Sequence, residues 1–583
     1  MQEINTKKSF FGHCNSDNVS TQVAIKLKIV AELKKAGFEI KEALLEKPPK
    51  QELGDYAVPC FMFAKELKKS PVEVAKDITS KINKSNFKDI KAIGPYVNFF
   101  LKNESVVDEL KEIHRCAQCY GMKAANNKVV LVEGPSPNTN KPLHLGHVRN
   151  MVICKSLFNI MNAAGYTAKQ INLNNDRGIH ICKSMLAYQK FGGDDTPEKS
   201  NMKSDHFIGK YYVMFAQKLK DNPELEKEAQ EMLIKWEAND KEVIDLWKKM
   251  NKWAFDGFKE TYKTFNMNFE KEYFESETYK EGKDIILDGL NKGLFEKNEE
   301  GAVIVDFSNE GLDKKVLLRS DGTTVYITQD IVLAKKKYDD FKYDKSVYVV
   351  GNEQEYHFQV LFKVLKKLGF SFADGCHHYS YGMIELPSGK MKSREGTVVD
   401  ADNLVEEVIN LAKEEIKKRH NLDEKELSER AKKIAMSAII FHILKFDPKK
   451  NFVYDPKESL SFEGETGPYC QYVYARIQSI IKKSEIKPED KVDLLKEEQE
   501  KHLVKKLLEY PLIIEKISES YKISSITRYI LELSQEFNNY YSKHKIIQDD
   551  KALQSARLYL ISAVAQVIAN GLSLLGIDTV NEM

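Results

Sequence analysis

Two histidines, His144 and His147, flank Gly146 where a proline-rich loop gives way to helical periodicity. Imidazoles one turn apart at a helix start are placed to hold phosphate, because helix N-termini favour anions through unpaired N–H groups and the macrodipole. Gly146 removes a side chain that would stop a flat ring from lying on the backbone. A His pair at this spacing also suits a metal, but no third His, Cys or carboxylate stands at ligand spacing in the loop, so no metal is expected. A second candidate is Asp330, with Tyr326 four residues before it. An ionised carboxylate beside a phenol makes a receptor for a planar cation, and a guanidinium can donate two parallel charge-assisted bonds to it, each worth ~1.5–3 kcal/mol. A third is the run Gly382–Asp400, where Lys390, Lys392 and Arg394 lie on a Gly- and Ser-containing loop. Mobile cations suit a polyphosphate whose charge grows as the bond to its leaving group breaks.

Periodicity indicates the elements that must position these groups. Val129–Val132 is a β-branched apolar run between turn formers, hence a buried strand. Pro135, Pro137, Asn138 and Pro142 keep the next stretch out of helix. From about Leu145, Val148, Met151, Val152 and Phe158 recur on one face, with Gly165 as the stop. Strand, loop and helix form the opening unit of a nucleotide-binding α/β domain. Gln170–Leu173 reads as the second parallel strand, with Asn174–Gly178 at its carboxyl end, where ligands gather in open α/β sheets. Tyr348–Gly351 is a further buried strand. Gly351 lies where a nucleotide could approach the backbone, and His357 reads as a capping or core residue. Asp321-Gly322 marks a hairpin turn whose second arm passes into a helix near Thr328, placing Asp330 in the first helical turn. Between about Leu186 and Lys283 the βαβ rhythm lapses. There Trp236, Trp247, Trp253, Tyr262 and Phe265 are spaced like core positions, so the stretch reads as a helical insertion without a catalytic part.

The string EGPSPNTNKPLHLGHVRN, from Glu133, carries a resemblance. Its HLGH resembles the His-Ile-Gly-His element of class I aminoacyl-tRNA synthetases, and the longer string resembles the arginyl-tRNA synthetase version in particular. LGDYAVPC and GPYVNFFL resemble that family's amino-terminal domain, which grips the tRNA elbow. VLLRSDGTTVYITQDIVLAKKK resembles its guanidinium-reading motif. KMKSR resembles the Lys-Met-Ser-Lys-Ser loop with a departure: Lys392 stands for the Ser and Ser393 for the second Lys. FEGETGPYCQYVYARIQSI and RLYLISAVAQVIANGLSLLGI resemble the start and end of the α-helical anticodon-binding domain.

The resemblance implies an α/β fold with a Rossmann-type parallel-sheet catalytic domain over 126–400, carrying a mainly helical insertion at about 186–283. An α+β domain (1–125) precedes it and an all-α domain (401–583) follows. The implied reaction joins L-arginine to ATP as arginyl-adenylate, then passes the acyl group to the 2′-hydroxyl of the terminal adenosine of tRNA(Arg). Bound tRNA is needed for the first step, and Mg²⁺ accompanies the phosphates. By motif position, Glu133, Ser136 and Asn138 hold the α-amino and carboxylate end of arginine, while Tyr326, Asp330 and Gln354 read its guanidinium. His144 and His147 stabilise the α-phosphate, with His147 also within reach of the arginine. Gly146 and Met391 flank the adenine, and Gly351 lies beside the nucleotide. Lys392, with Ser393 next to it, faces the β/γ-phosphates, and Lys141 is the substitute cation. Tyr96 and Asn98 match tRNA contacts and equally suit a half-buried strand. Tyr469 and Arg476 offer aromatics interleaved with a base, although tyrosines at helical spacing are more often core. No editing domain is expected, because lysine cannot fill a site built for a guanidinium.

The whole chain bounds these readings. Its 583 residues suit three or four domains, and 42% hydrophobic residues supply their cores. With 89 basic and 87 acidic residues the net charge is only +2, so RNA binding must rest on local patches. The cysteines are scattered apart from Cys116 and Cys119, which read as thiols in a reducing compartment. The first twenty residues contain Glu3 and Asp17, no Arg and no apolar core, which argues against a targeting segment. The apolar stretches near Met436–Leu444 and Ile561–Leu575 are too short to span a bilayer. A cytoplasmic monomer without membrane contact is expected. Two other classes fit parts of the pattern: a related-fold enzyme, such as another class I synthetase or a nucleotidylyltransferase, and a silent RNA-binding paralogue.

Overall fold

The computed structural model of the chain describes residues 21–40, 44–46, 48, 50–385, 387 and 399–583. Its first unit joins helices α1 (Thr21–Lys35), α2 (Phe61–Leu67) and α3 (Pro71–Lys81) to a three-stranded antiparallel sheet, and α4 (Asn103–Cys116) leads out of it, with Leu110 and Ile113 in the core of the rest of the chain. The strands are β1 (Tyr56–Pro59), β2 (Asp89–Ile93) and β3 (Tyr96–Phe100), in the order β1-β3-β2. Ser70 starts α3 by a capping box: its hydroxyl accepts the Glu73 N–H and the Glu73 carboxylate accepts the Ser70 N–H, with Pro71 in the first turn. Ile29, Val58, Ile78, Val97 and Phe99 close a separate core here.

The second unit is a five-stranded parallel sheet ordered β11-β10-β4-β5-β6. Its strands are β4 (Val129–Glu133), β5 (Thr167–Asn174), β6 (Lys271–Phe274), β10 (Lys345–Gly351) and β11 (Cys376–Tyr381), while β7 (Glu296–Lys297), β8 (Val303–Val305) and β9 (Lys315–Leu318) form a small antiparallel sheet beside it. Alternation splits the faces. Val130 and Val132 pack with α5 (Leu145–Ala163), and Leu131 and Ile171 pack on the other side with α12 (Tyr326–Phe341) and α13 (Glu355–Lys367). Strand order reverses between β4 and β10, opening a crevice beyond their carboxyl ends.

The insertion is helical as expected: α6 (Ile179–Phe191), α7 (Ser204–Asp221), α8 (Glu224–Glu237) and α9 (Lys241–Thr264), with Trp236, Tyr262 and Phe265 buried. One feature inside the 186–283 stretch is not helical: β6, a four-residue edge strand with one buried side chain, followed by the short helix α10 (Glu275–Thr278). Then comes α11 (Lys283–Asn291). The hairpin at Asp321-Gly322 is reduced to one bridge, Leu318–Thr324, because α12 starts at Tyr326 instead of near Thr328. Thr328 is the N3 residue whose hydroxyl accepts the Val325 N–H, so Asp330 lies in the second turn.

Eight helices complete the chain: α14 (Ala401–Lys417), α15 (Glu424–Leu444), α16 (Pro456–Ser459), α17 (Gly467–Lys483), α18 (Glu498–Leu507), α19 (Tyr510–Ser520), α20 (Ser524–Lys543) and α21 (Lys551–Leu574). By length and composition alone α21 could cross a bilayer, yet its apolar window is 67% buried within the fold. Asn159 of α5 donates to Ser573 O at 3.1 Å and Ser156 to Leu575 O at 3.2 Å, and one apolar core is shared by the sheet and the terminal bundle. Cys119 is disulfide-bonded, so the thiol reading fails there.

Candidate active site

In a parallel sheet the flanking helices return antiparallel to the strands, so α5 and α12 both begin at the carboxyl edge, on opposite faces of the β4/β10 crevice. Loop 134–144 enters α5 with Ser136 in the left-handed region (φ 53°). The Ser136 N–H donates to Asn172 at 3.0 Å and its carbonyl accepts from Asn175 at 3.0 Å, tying the loop to the end of β5. Asn138 is exposed above that end and pairs with Asn175 as an isolated parallel bridge.

His144 and His147 make an imidazole version of a capping box. Nδ1 of His144 accepts the Gly146 N–H and Nδ1 of His147 accepts the His144 N–H, both at 3.1 Å. Two acceptor Nδ1 atoms fix the neutral tautomer with the proton on Nε2, so both rings present N–H donors away from the helix. Burial, helped by Lys141 and opposed by Asp400, takes the His144 pKa down to about 3. Burial, His144 and Lys141 hold His147 well below the usual histidine range. Both rings are therefore neutral donors, a form that suits an anion. The amides expected to greet it are already engaged, Leu145 N–H with Val399 O (3.0 Å) and Gly146 N–H with His144. Gly146 serves the His144 ring itself: a Cβ there would lie 3.0 Å from its Cε1. Burial also lowers the pKa of Lys141, which lines a cavity of about 560 Å³ with His144, His206 and Asp400.

Across the crevice, Tyr326 opens α12 with 78% of its surface exposed, and Asp330 follows one turn on. The Asp330 carboxylate is 2.6 Å from Nε2 of His357, in the first turn of α13, so that histidine is neither a cap nor a core residue. Gln354 and Gly351 lie at the end of β10, Gln354 exposed. Glu133 is buried with its carboxylate on Lys337 of α12, so its charge is already balanced. Lys390, Met391, Lys392, Ser393 and Arg394 lie outside the described residues.

A carboxylate that sequence reasoning missed stands near Asp330. Glu275 opens α10, and burial, with Asp176 and Asp330 nearby and Arg177 opposing, raises its pKa to about 7. Asp176 is likewise raised by burial although Ser276 donates to it. Arg177 balances part of this charge, 2.7 Å from Glu237 and stacked 3.9 Å from the Tyr279 ring centroid. The only sequence signal was an acidic first turn after β6, a strand too exposed to be read.

Away from the crevice, Asn98 is buried in β3 while Tyr96 is part-exposed, 5.8 Å from the exposed Phe61 ring. Arg476 donates to Asn538 and to the Tyr472 hydroxyl, both at 2.7 Å, and Asn538 donates to Tyr469 at 2.9 Å, a single polar network on α17 and α20.

A parallel-sheet crevice with paired imidazoles at one helix start and an acidic group at the other is the catalytic body of a class I tRNA synthetase. Residues 109–456 match the family model described as tRNA synthetases class I (R), catalytic domain. Residues 23–101 match the arginyl tRNA synthetase N terminal domain, and 470–583 the DALR anticodon binding domain. Among curated relatives, an arginine–tRNA ligase of Treponema denticola is 47% identical over 91% of this chain and 93% of its own length. One of Parabacteroides distasonis is 42% identical over 95% and 98%. The solved arginyl-tRNA synthetase of Thermus thermophilus superposes with a TM-score of 0.82 and 25% identity, over 96% of this chain and all of that one. The chain belongs to the arginyl-tRNA synthetase family.

Proposed function

We propose that this chain activates L-arginine with ATP and transfers the arginyl group to the 2′-hydroxyl of the terminal adenosine of tRNA(Arg), with the tRNA bound before activation. The observation that carries it is the pairing of two neutral Nε2–H donors at the start of α5 with the Asp330 carboxylate near the start of α12, at one crevice. In the first step the arginine carboxylate attacks the α-phosphorus in line, a new O–P bond forms, and pyrophosphate leaves with the electrons of the bond that breaks. His144 and His147 donate to the non-bridging α-phosphate oxygens, where negative charge builds in the transition state. No covalent nucleophile is needed from the protein; positioning and electrostatics supply the rate.

Tyr326, Asp330 and Gln354 take the guanidinium, with Glu275 as a further anion. Ser136 and Asn138, and Glu133 with its charge balanced by Lys337, hold the α-amino and carboxylate end. Gly146, Gly351 and Met391 frame the adenosine, and Lys141, Lys392 and Ser393 face the β/γ-phosphates. Among the described residues Asp400 is the one carboxylate in the cavity wall beside His144, and His206 holds it. Mg²⁺ would accompany the ATP phosphates and offset their charge. Tyr96 meets the tRNA elbow while Asn98, buried in β3, supports that strand from within, and Tyr469 and Arg476 meet the anticodon arm. A cytoplasmic monomer with boundaries near residues 125 and 400 completes the reading.

The test is Asp330→Asn. It is expected to abolish arginine-dependent pyrophosphate exchange while ATP binding, measured by calorimetry, survives. Near-normal exchange would remove the assignment.

A further inference from the structure

The helical insertion has no part in the reading above, yet its helix α7 lies against the loop that delivers His144. His206, in the first turn of α7, places Nε2 3.0 Å from the Asp400 carboxylate and 3.4 Å from that of Asp402. Asp400 faces two ways. One oxygen caps α14, accepting the N–H groups of Asp402 (2.8 Å) and Asn403 (3.1 Å), and the other lies at ion-pair distance from His206 without hydrogen-bond alignment. The backbone on either side of Asp400 is paired with the residues around His144: Leu145 N–H donates to Val399 O at 3.0 Å and Ala401 N–H to Leu143 O at 2.9 Å, making an antiparallel bridge between His144 and Asp400. Three residues beyond His206, Gly209 meets Pro142, where a Cβ would stand 2.6 Å from the proline Cδ, so α7 sits flush on the loop.

The cluster is internally tied. Lys203 lies 2.6 Å from Asp402, 2.6 Å from the Thr261 hydroxyl on α9 and 3.3 Å from Asp205. Asp205, His206 and Asp402 approach within 4.8 Å, a spacing that suits a cation, but the Lys203 ammonium already supplies one. Although burial opposes it, Asp400 and Asp402 push the His206 pKa up to about 10, so its imidazolium balances Asp400.

We propose that His206 is a positioning residue for the phosphate-holding imidazoles: through Asp400 it locks the insertion onto the backbone of His144, and it cancels a carboxylate that would otherwise repel ATP. The inference rests on the assignment of ATP to the His144 site. With the imidazolium removed, Asp400 keeps its cap but faces the nucleotide as an uncompensated, largely buried charge. The loss therefore falls on the nucleotide, while the arginine pocket across the crevice is untouched.

The test compares His206→Gln, His206→Lys, Asp400→Asn and the double variant His206→Gln/Asp400→Asn in pyrophosphate exchange with tRNA present, with melting temperatures recorded for each. His206→Gln is expected to raise KM for ATP about tenfold or more with KM for arginine within twofold. His206→Lys, which keeps a cation, is expected to recover most of the loss, and the double variant part of it. Equal shifts in both KM values, an unchanged KM for ATP, or no recovery in the double variant would overturn the proposal, whatever the melting temperatures. His144→Gln separates the layers. If it raises KM for ATP or lowers kcat while His206→Gln does neither, this inference alone fails; if His144→Gln is also silent, the site assignment fails.

Discussion

At the α5 lip of the crevice each imidazole is tied by its own Nδ1 to a backbone N–H, and that backbone is paired in turn with residues 399–401. At the α12 lip, Tyr326 is 78% exposed, Gln354 is exposed, and Asp330 is held by the side chain of His357. On the proposed assignment, phosphate meets fixed donors and the guanidinium meets side chains that still have freedom to lose. The difference follows from what each end must do. Charge develops at the α-phosphate during the reaction, where preorganised donors avoid reorganisation in the transition state. The guanidinium carries the same charge before and after, so that lip needs selectivity more than rigidity.

The largest expected effect tests the buried ion pair on the α12 side, Glu133 with Lys337. Lys337→Met leaves a buried carboxylate without its cation and is expected to cost about 3–5 kcal/mol of stability, read by denaturant unfolding. Glu133→Gln with Lys337→Met should restore most of it. A single variant as stable as the parent would mean that this lip has no fixed base.

Next, His147→Ala at the rigid lip is expected to lower kcat for pyrophosphate exchange by ~10²–10³, as for loss of one oxyanion-type donor, with KM for arginine little changed. A loss confined to KM would break the contrast between the lips.

The smallest effect sharpens the acidic side. Glu275, with its pKa raised to about 7, is protonated below that pH and ionised above it. A cation binds the ionised form better, so KM for arginine should fall as pH rises through about 7, and Glu275→Gln should flatten that dependence by a few-fold. An unchanged profile in the variant would place Glu275 outside the arginine pocket.

The rigid lip was legible in the sequence because its signal is local. Strand, proline loop and HLGH lie within one βα unit, where periodicity and turn chemistry suffice, and the order of β4, α5, β5 and β10 followed. The α12 lip was read half-right. Spacing singles out Tyr326 and Asp330 as candidates, but it puts the helix start two residues late because Thr328 caps it from inside. His357, Lys337 and Glu275 escaped because their roles depend on pairing across elements: a β10-following helix meeting α12, a strand end meeting a helix interior, and an edge strand that returns from the insertion. His206 and Asp400, nearly two hundred residues apart, show no local pattern at all. Such contacts are set by tertiary packing, to which sequence periodicity is blind.

The central claim is that one crevice joins a guanidinium to a nucleotide. Pyrophosphate exchange with each of the twenty amino acids, with and without tRNA(Arg), tests it most directly. Exchange should occur with arginine alone and require the tRNA. Exchange with another amino acid, or none with arginine when tRNA is present, would contradict it.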